Sequence, residues 1–139
     1  MKPNVEAAIT QLREGLPGKN VQVAEDADGG AHVTVEGLEI GECFEPGVSW
    51  VGFHLTWSYP DAAVYPHFID PVVRYVGSGP TPNQHPGGAL PAALARGRYQ
   101  VTGSERDAIQ VSRQSNHWNP ATDTALNKLL RVLEFLRSR

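Results

Sequence analysis

NHWNPATD, at residues 116–123, is the stretch that decides the fold, because it precedes an amphipathic run that extends almost to the C-terminus. Asn119 is a good helix N-cap, since its side-chain oxygen accepts an otherwise unpaired amide proton of the first turn. Pro120 then falls at the first helical position, where a missing N–H group costs nothing. The stretch therefore predicts a C-terminal helix that begins at Pro120. We expect Trp118 to anchor it, largely buried beneath the irregular segment upstream.

Hydrophobic periodicity predicts a helix near each end of the chain. The C-terminal run carries leucines on one side and charged residues on the other: Leu126, Leu129, Leu130, Leu133 and Leu136 against Asp123, Lys128, Arg131 and Glu134. Near the N-terminus, apolar residues recur at the i, i+3, i+4, i+7 spacing of one helix face: Val5, Ala8, Ile9 and Leu12. Both stripes are typical of helices that pack on a core.

Between these helices the sequence predicts an antiparallel sheet. Alternating residues at 21–23 and 33–40 flank a turn-like stretch at 26–30. Within the second run the apolar residues move from odd to even positions, and Gly37 at this point predicts a β-bulge. Residues 50–57 form the strongest strand, and residues 68–69 form a short fourth one. Residues 77–88 are rich in glycine and proline, which predicts an irregular segment. Residues 99–101 and 108–113 are expected to be short strands or extended pieces at the rim.

The predicted fold class is α+β: an N-terminal helix, a four-stranded antiparallel meander, a long irregular segment and a C-terminal helix, with the helices on one side of the sheet. At 139 residues with 40% hydrophobic content, the chain is long enough to bury a core of its own. We therefore expect a single domain over residues 1–139.

Composition argues against several classes of function. The net charge is −3 and the basic residues are not interleaved with aromatic ones, so no nucleic-acid partner is expected. The longest apolar stretch, Ala89–Ala95, is far shorter than the ~20 residues that cross a bilayer, so no membrane partner is expected. One cysteine and the lack of a signal-peptide pattern indicate a cytoplasmic protein.

Charge is nevertheless unevenly distributed along the chain. Residues 1–46 hold nine acidic and three basic side chains, whereas residues 96–139 hold eight basic and four acidic ones. Such asymmetry is typical of two solvated faces, and it also suits a surface that docks a charged protein partner.

Several aromatic and proline landmarks occur in an order that resembles the ubiquitin-conjugating enzymes: Tyr59-Pro60 with Tyr65-Pro66, then His85-Pro86, then Trp118 two residues before Pro120. The fold of that family has the order of elements predicted above. More narrowly, residues 110–124 resemble the divergent prokaryotic branch of the superfamily. The resemblance implies that His85, Pro86, Trp118 and Pro120 form a structural motif. It also implies protein partners from a bacterial operon: a ubiquitin-like modifier, or an activating-enzyme-like or other conjugation protein.

The resemblance is weakest where the family performs its chemistry. In ubiquitin-conjugating enzymes a cysteine follows the His-Pro pair and accepts an acyl group as a thiolate. Here residues 87–94 read GGALPAAL and hold no nucleophile, and Gly87 stands where the family has an oxyanion-stabilising asparagine. The sequence therefore favours a non-catalytic protein that binds a modifier or another conjugation component. The alternative is an active conjugating enzyme whose nucleophile has been substituted, for instance at one of the alanines between residues 89 and 95, or is unconventionally Cys43.

The remaining candidates for catalysis are weak. Cys43 is the only thiol, and the nearby carboxylates of Glu42 and Glu45 disfavour a thiolate if they lie close to it. His85 and His117 flank the predicted irregular region. A small histidine-based metal- or ligand-binding enzyme that uses four side chains is a further alternative: His67, Asp70, His85 and His117. No Cys-x-x-Cys, His-x-His or His-Glu-x-x-His pattern supports a metal site, so no metal and no cofactor are predicted.

Aromatic residues supply the predicted binding surface. Trp50, Tyr59 and Tyr65 lie on or near the strongest strand, and we expect them to be partly exposed. Aromatic side chains of this kind are common anchors of protein interfaces. The sequence therefore predicts partner binding around these three residues or along an edge of the sheet.

Overall fold

The structure, a computed structural model, describes residues 1–77, 89–113 and 117–139. Within these ranges it contains two α-helices, α1 (Pro3–Gly15) and α2 (Ala125–Arg137), and eight β-strands: β1 (Val21–Glu25), β2 (Ala31–Glu39), β3 (Phe44–Glu45), β4 (Val48–Leu55), β5 (His67–Ile69), β6 (Arg74–Tyr75), β7 (Leu94–Val101) and β8 (Ser104–Val111). The chain is therefore α+β, with one helix near each end, as predicted.

Six of the strands form one antiparallel sheet in the order β1-β2-β4-β5-β8-β7, and β3 pairs separately with β6. Within the larger sheet, β1, β2, β4 and β5 follow one another as a meander. Its register places Val33 opposite Phe53, and Phe53 opposite His67. The predicted four-stranded meander is confirmed in these strands.

The sheet is nevertheless larger than predicted. The two segments expected as short pieces at the rim are halves of a long hairpin, β7–β8, in which each strand has eight residues. Strand β8 joins the meander through β5, with Ile69 opposite Ile109. The short-strand prediction is wrong because only Leu94, Ile109 and Val111 are buried on one side of the hairpin, whereas the residues further along that side are exposed and gave no periodic signal.

Strand β2 contains the predicted bulge. The register against β4 shifts between Val35 and Leu38, and Gly37 has a φ of 70°, in the left-handed region that glycine adopts without strain. The extra residue returns Leu38 to the buried face, where it is 3% exposed.

Both helices pack on the same face of the sheet, which we call the inner face. Its core combines the apolar stripe of each helix with the alternate residues of the strands: Val5, Ala8, Ile9 and Leu12 of α1; Leu129, Val132, Leu133 and Leu136 of α2; and Val33, Val35, Val51, Phe53, Leu55, Ile69, Ile109 and Val111 of the sheet. Burial of this aliphatic surface is the main term that stabilises the fold.

Helix α2 begins later than predicted. Its first residue is Ala125 rather than Pro120, and its N-cap is Thr124, whose Oγ1 accepts a 3.0 Å hydrogen bond from the N–H group of Asn127. A threonine in this position satisfies one of the amides that the first turn leaves unpaired.

Asn119 and Pro120 belong instead to a turn that precedes the helix. Asn119 Oδ1 accepts the N–H group of Ala121, and Asp123 Oδ2 accepts the N–H group of Asn119 at 2.7 Å. The predicted roles of Asn119 as N-cap and of Pro120 as first helical residue are wrong. Asparagine followed by proline suits a turn as well as it suits a helix start, because the asparagine side chain can bond the backbone two residues later.

The face that α2 presents to the core also differs from the predicted leucine stripe. Leu130 is 45% exposed, whereas Val132 is fully buried. Lys128, which was expected opposite the core, is 2% exposed, and its Nζ atom donates a hydrogen bond to the carbonyl of Arg113. The helix is rotated so that the stem of Lys128 fills core space while its ammonium group reaches a backbone acceptor.

Candidate functional site

The outer face of the sheet lies opposite the helices. It is covered by the half of the β7–β8 hairpin that lies next to the turn between the two strands. Tyr99 of β7 reaches back across the face and its hydroxyl lies 2.9 Å from the carbonyl oxygen of Val33 in β2 and 3.0 Å from that of Phe53 in β4. Because β7 is three strands away from β4 in the order of the sheet, the hairpin must curl over the face. Tyr99 is 1% exposed.

Gly52 creates the space that the Tyr99 ring occupies. A Cβ atom added at Gly52 would lie 2.3 Å from Cε2 of Tyr99, a distance that no side chain can tolerate. The ring also stacks on Phe68 of β5 and on Trp50 of β4, with centroid separations of 4.9 and 6.0 Å. We call Trp50, Phe68 and Tyr99 the aromatic cluster of the outer face.

The aromatic cluster has a polar rim. The guanidinium group of Arg106 on β8 lies 4.0 Å from the ring centre of Trp50, a cation–π arrangement. Trp50 Nε1 is buried and has no hydrogen-bond partner among the described residues. Burial raises the pKa of Tyr99 to about 12, although hydrogen bonds and Arg106 oppose this shift, so its hydroxyl remains a donor at neutral pH.

A group of titratable side chains lies beside the aromatic cluster. His54 Nε2 and Asp26 Oδ2 are 2.6 Å apart, and Asp26 Oδ1 accepts the N–H groups of Asp28 and Gly30. Burial alone would raise the pKa of Asp26, but these hydrogen bonds outweigh it and lower the pKa to about 2. Asp26 is therefore ionised at neutral pH, and His54 Nε2 is the donor of the shared hydrogen bond.

His32 of β2 completes this group. Its ring stacks on His54 at a centroid separation of 4.1 Å, and its Nδ1 shares a 3.2 Å hydrogen bond with Thr102 Oγ1 at the tip of the hairpin. Burial and the neighbouring His54 lower the pKa of His32, and Asp26 only partly opposes them. We refer to Asp26, His54, His32 and Thr102 as the histidine latch. Its bond between His32 and Thr102 joins β2 to the hairpin tip.

The Tyr-Pro and Trp-x-Pro landmarks meet at the start of α2. Trp118 is half-buried against the core, and its Nε1 donates a 2.7 Å hydrogen bond to the carbonyl oxygen of Pro60. The hydroxyl of Tyr59 accepts the N–H group of Ala125, the first residue of α2, at 3.0 Å. Trp118 therefore joins the turn before α2 to the turn that contains Tyr59 and Pro60. The expected cover of Trp118 by the irregular segment lies outside the described residues.

The predicted binding aromatics differ in exposure. Trp50 and Tyr59 are 6% and 7% exposed, so the expectation that they are partly exposed is wrong: the hairpin covers Trp50, and Tyr59 bonds to the start of α2. Tyr65 is 38% exposed, and Trp57, which was expected inside the strongest strand, follows its end and is 59% exposed.

The candidate catalytic residues do not form one site in the described part of the chain. Cys43 is 5% exposed and packs in the inner core beside Phe44. His117 is exposed, and His85 and Pro86 lie outside the described residues. Within residues 1–77, 89–113 and 117–139, no group of three or more histidine, cysteine or acidic side chains is arranged to hold a metal ion.

His67 and Asp70 also have separate structural surroundings. His67 is fully buried on the inner face, packed against the ring of Phe53, and neither of its ring nitrogens has a partner among the described residues. Burial and, to a smaller extent, Lys128 lower its pKa to about 3. Asp70 lies in a turn, where its Oδ1 accepts the N–H group of Val72.

Sequence reasoning missed the residues of the outer face. Their only signal in the sequence was the alternation of side chains along a strand. Trp50 and His54 alternate with the apolar residues of β4, and His32 likewise alternates with the apolar residues of β2. That alternation, which puts a tryptophan on the second face, indicates that this face is partly covered but does not identify what covers it. Nothing local in the sequence indicates that Tyr99 and Thr102, about 70 residues from their β2 partners, close over it.

Comparisons with known proteins identify no relative: no protein family, no curated protein and no solved structure matches the chain. In the described residues, no helix is long and apolar enough to cross a membrane.

Proposed function

We propose that the chain is a ubiquitin-conjugating-like protein of a bacterial ubiquitin-like conjugation system. In this proposal it binds the ubiquitin-like modifier or another conjugation component, such as an activating-enzyme-like protein, and does not carry the acyl group itself. The observation that carries the proposal is the contact between the two landmarks, in which Trp118 donates to the carbonyl of Pro60. A chance occurrence of Tyr-Pro and Trp-x-Pro in one sequence gives no reason for them to touch.

The order of elements supports the same proposal. An N-terminal helix, an antiparallel meander and a C-terminal helix that packs on the same face as the first are what the resemblance implies. The β7–β8 hairpin departs from that expectation, since it adds two strands to the sheet and covers its outer face. A partner that used the outer face would therefore meet the hairpin and not the strands of the meander.

The state of the only thiol supports binding over transfer. An acyl acceptor must be reached by a second thioester, and nucleophilic cysteines lie in accessible, electropositive surroundings. Cys43 is instead enclosed in the apolar core with 5% of its surface exposed. The alternative that Cys43 is an unconventional nucleophile would require this part of the core to open.

We place the partner contact on the connection between β4 and β5, residues 56–66. It carries the exposed rings of Trp57 and Tyr65. A groove of about 430 Å³ runs from Trp57 past Asp61 to Lys2 and Asn4 at the start of α1. Large aromatic side chains next to a groove with a polar rim are typical of interface anchors. Tyr65 is the member of the predicted binding set that is exposed enough to act in this way.

The direct test is to measure binding to the ubiquitin-like and activating proteins encoded beside this gene by isothermal titration calorimetry. Trp57→Ala is expected to weaken binding about tenfold or more, as loss of an interface anchor does. Val72→Ala is the matched control, because Val72 is 66% exposed and lies in a different turn. Failure of every such protein to bind at micromolar concentration and low salt would contradict the proposal.

A second experiment separates binding from transfer. The chain is incubated with activating protein, ATP and modifier, and the products are compared on gels with and without thiol reductant. We expect no thiol-sensitive adduct. A thiol-sensitive adduct that disappears in Cys43→Ser would show that Cys43 is the nucleophile, and an adduct that resists thiol would indicate an oxygen or nitrogen nucleophile.

A further inference from the structure

We propose that the histidine latch is a pH-sensitive switch: it holds the tip of the β7–β8 hairpin on the outer face at neutral pH and releases it when the His32 ring takes up a proton. The proposal does not depend on the function suggested above. It rests on the geometry of four side chains that come from three different parts of the chain.

The latch has one carboxylate for two stacked histidine rings. His54 is bonded to the carboxylate of Asp26 at 2.6 Å, so a positive charge on His54 is compensated by a neighbouring negative one. Among the described residues, Asp26 is the one carboxylate that acts on His32. A proton on His32 would place a positive charge in the stack with His54, where the ring centroids are 4.1 Å apart and His54 opposes that charge. Like charges at this separation repel strongly when they are partly buried.

The repulsion acts on the hairpin because His32 carries the contact to its tip. Thr102 Oγ1 bonds to His32 Nδ1, and the ring of Tyr99 lies edge-on to His32 with centroids 6.2 Å apart. On the face of β8 that carries the cross-strand partner of Tyr99, the charged side chain is that partner, Arg106, and it is also positive. When the His32 ring moves away from His54, the bond to Thr102 cannot keep its present geometry.

The direction of the pH effect follows from the pKa values. Burial and His54 lower the pKa of His32 below its usual value, so the closed hairpin disfavours the protonated ring. The open hairpin, in which His32 is solvated, binds that proton more readily, and opening is therefore favoured as pH falls below 6.5. Asp26 stays ionised throughout this range because its pKa is about 2. The switch therefore acts in mildly acidic solution.

Release of the tip has a defined structural consequence. The hairpin covers Trp50, which is 6% exposed, and the half-buried Phe68. With the tip free, fewer contacts hold the turn-side half of the hairpin, so the contact of the Tyr99 hydroxyl with the carbonyl oxygens of Val33 and Phe53 is expected to open more often. Mild acid is therefore expected to increase the accessibility of the aromatic cluster without unfolding the inner core.

Amide hydrogen exchange at pH 7.5 and pH 5.0, corrected for the intrinsic rates, tests this switch on the whole chain. Protection of residues 99–106 is expected to fall several-fold at the lower pH relative to residues 21–25 of β1. His32→Gln cannot take up the proton and is expected to abolish this fall. His117→Gln is the matched control: it removes an exposed histidine outside the latch, and the fall is expected to persist.

A second variant keeps the test decisive if His32→Gln does not fold. In His54→Gln the neighbouring ring that opposes a proton on His32 is removed, so the midpoint of the His32 titration, followed by NMR, is expected to move to higher pH. The loss of hairpin protection is expected to become smaller but not to vanish, because burial of His32 still disfavours its protonated form. The proposal is overturned if hairpin protection is equal at the two pH values in the wild-type chain. It is also overturned if the fall persists in His32→Gln, or if the His32 midpoint does not move in His54→Gln.

Discussion

The two faces of the sheet are closed by different means. The inner face is covered by α1 and α2, through aliphatic side chains that recur with the period of a helix or a strand. The outer face is covered by a hairpin that curls back over it, with one tyrosine in the space above Gly52 and a histidine latch at the tip. The packing of the helices on the inner face depends on many weak aliphatic contacts, whereas the packing of the hairpin on the outer face depends on a few specific contacts. A single substitution should therefore affect the outer face more selectively than the inner one.

The largest expected effect of a substitution comes from the side chain that anchors the outer face. Tyr99→Ala removes a ring that is 1% exposed together with its two hydroxyl contacts, and it is expected to lower the free energy of unfolding by about 3–5 kcal/mol. Phe53→Ala on the inner face is the comparison, with a similar expected loss. Urea denaturation of both variants measures this. A loss below about 1 kcal/mol for Tyr99→Ala, as for an exposed surface residue, would show that the outer closure does not contribute to stability.

The second effect concerns a titratable residue on the inner face. The pKa of His67 is lowered to about 3, so the unfolded chain, with an ordinary histidine pKa, binds more protons between pH 6.5 and pH 3. Stability is therefore expected to decrease as pH falls, by about 2 kcal/mol between pH 6 and pH 4.5 from this group alone.

Urea denaturation at the two pH values measures this effect, and His67→Leu is the control. The leucine variant cannot take up a proton in either state, so its pH dependence is expected to be smaller by the same amount. If the wild-type chain and the variant lose stability equally, His67 is not held neutral in the core. Water would then reach this part of the inner face although His67 is fully buried.

A smaller effect distinguishes the two candidate caps of α2. Thr124→Ala removes the observed N-cap bond to Asn127 and is expected to cost about 1 kcal/mol of stability. Asn119→Ala removes only a bond within an exposed turn, and its expected cost is smaller. Thermal denaturation of the two variants shows which substitution lowers the stability more. A larger loss for Asn119→Ala would restore the helix start that the sequence predicted.

The sequence predicts most of the inner face and little of the outer one. The stripe of α1, the β1–β2 hairpin, the bulge at Gly37 and the apolar face of β4 all follow from local periodicity, which is what a continuous aliphatic core imposes on each element. The start of α2 was misplaced because Asn119 and Thr124 are both capable caps, and only the tertiary contact between Tyr59 and Ala125 favours the later one.

The candidate site escaped prediction for a related reason. His32, His54 and Tyr99 come together only through a hairpin that curls over the sheet, and the contact from Tyr99 to Val33 spans 66 residues of sequence. A histidine on the polar side of a strand looks the same whether that side is open or covered. The aromatic residues were recognised as important, but their burial under the hairpin reverses the inference that Trp50 is an exposed anchor.

The central claim is that the β7–β8 hairpin closes over the outer face with the Tyr99 ring against Gly52. Nuclear Overhauser effects from the ring protons of Tyr99 test it directly in solution. We expect strong effects to the α-protons of Gly52, which the ring overlies, and to the ring of Phe68, together with ring-current shifts of the Gly52 α-protons. Absence of the Tyr99–Gly52 effects, with the cross-strand effects between β4 and β5 intact, would contradict the closed outer face.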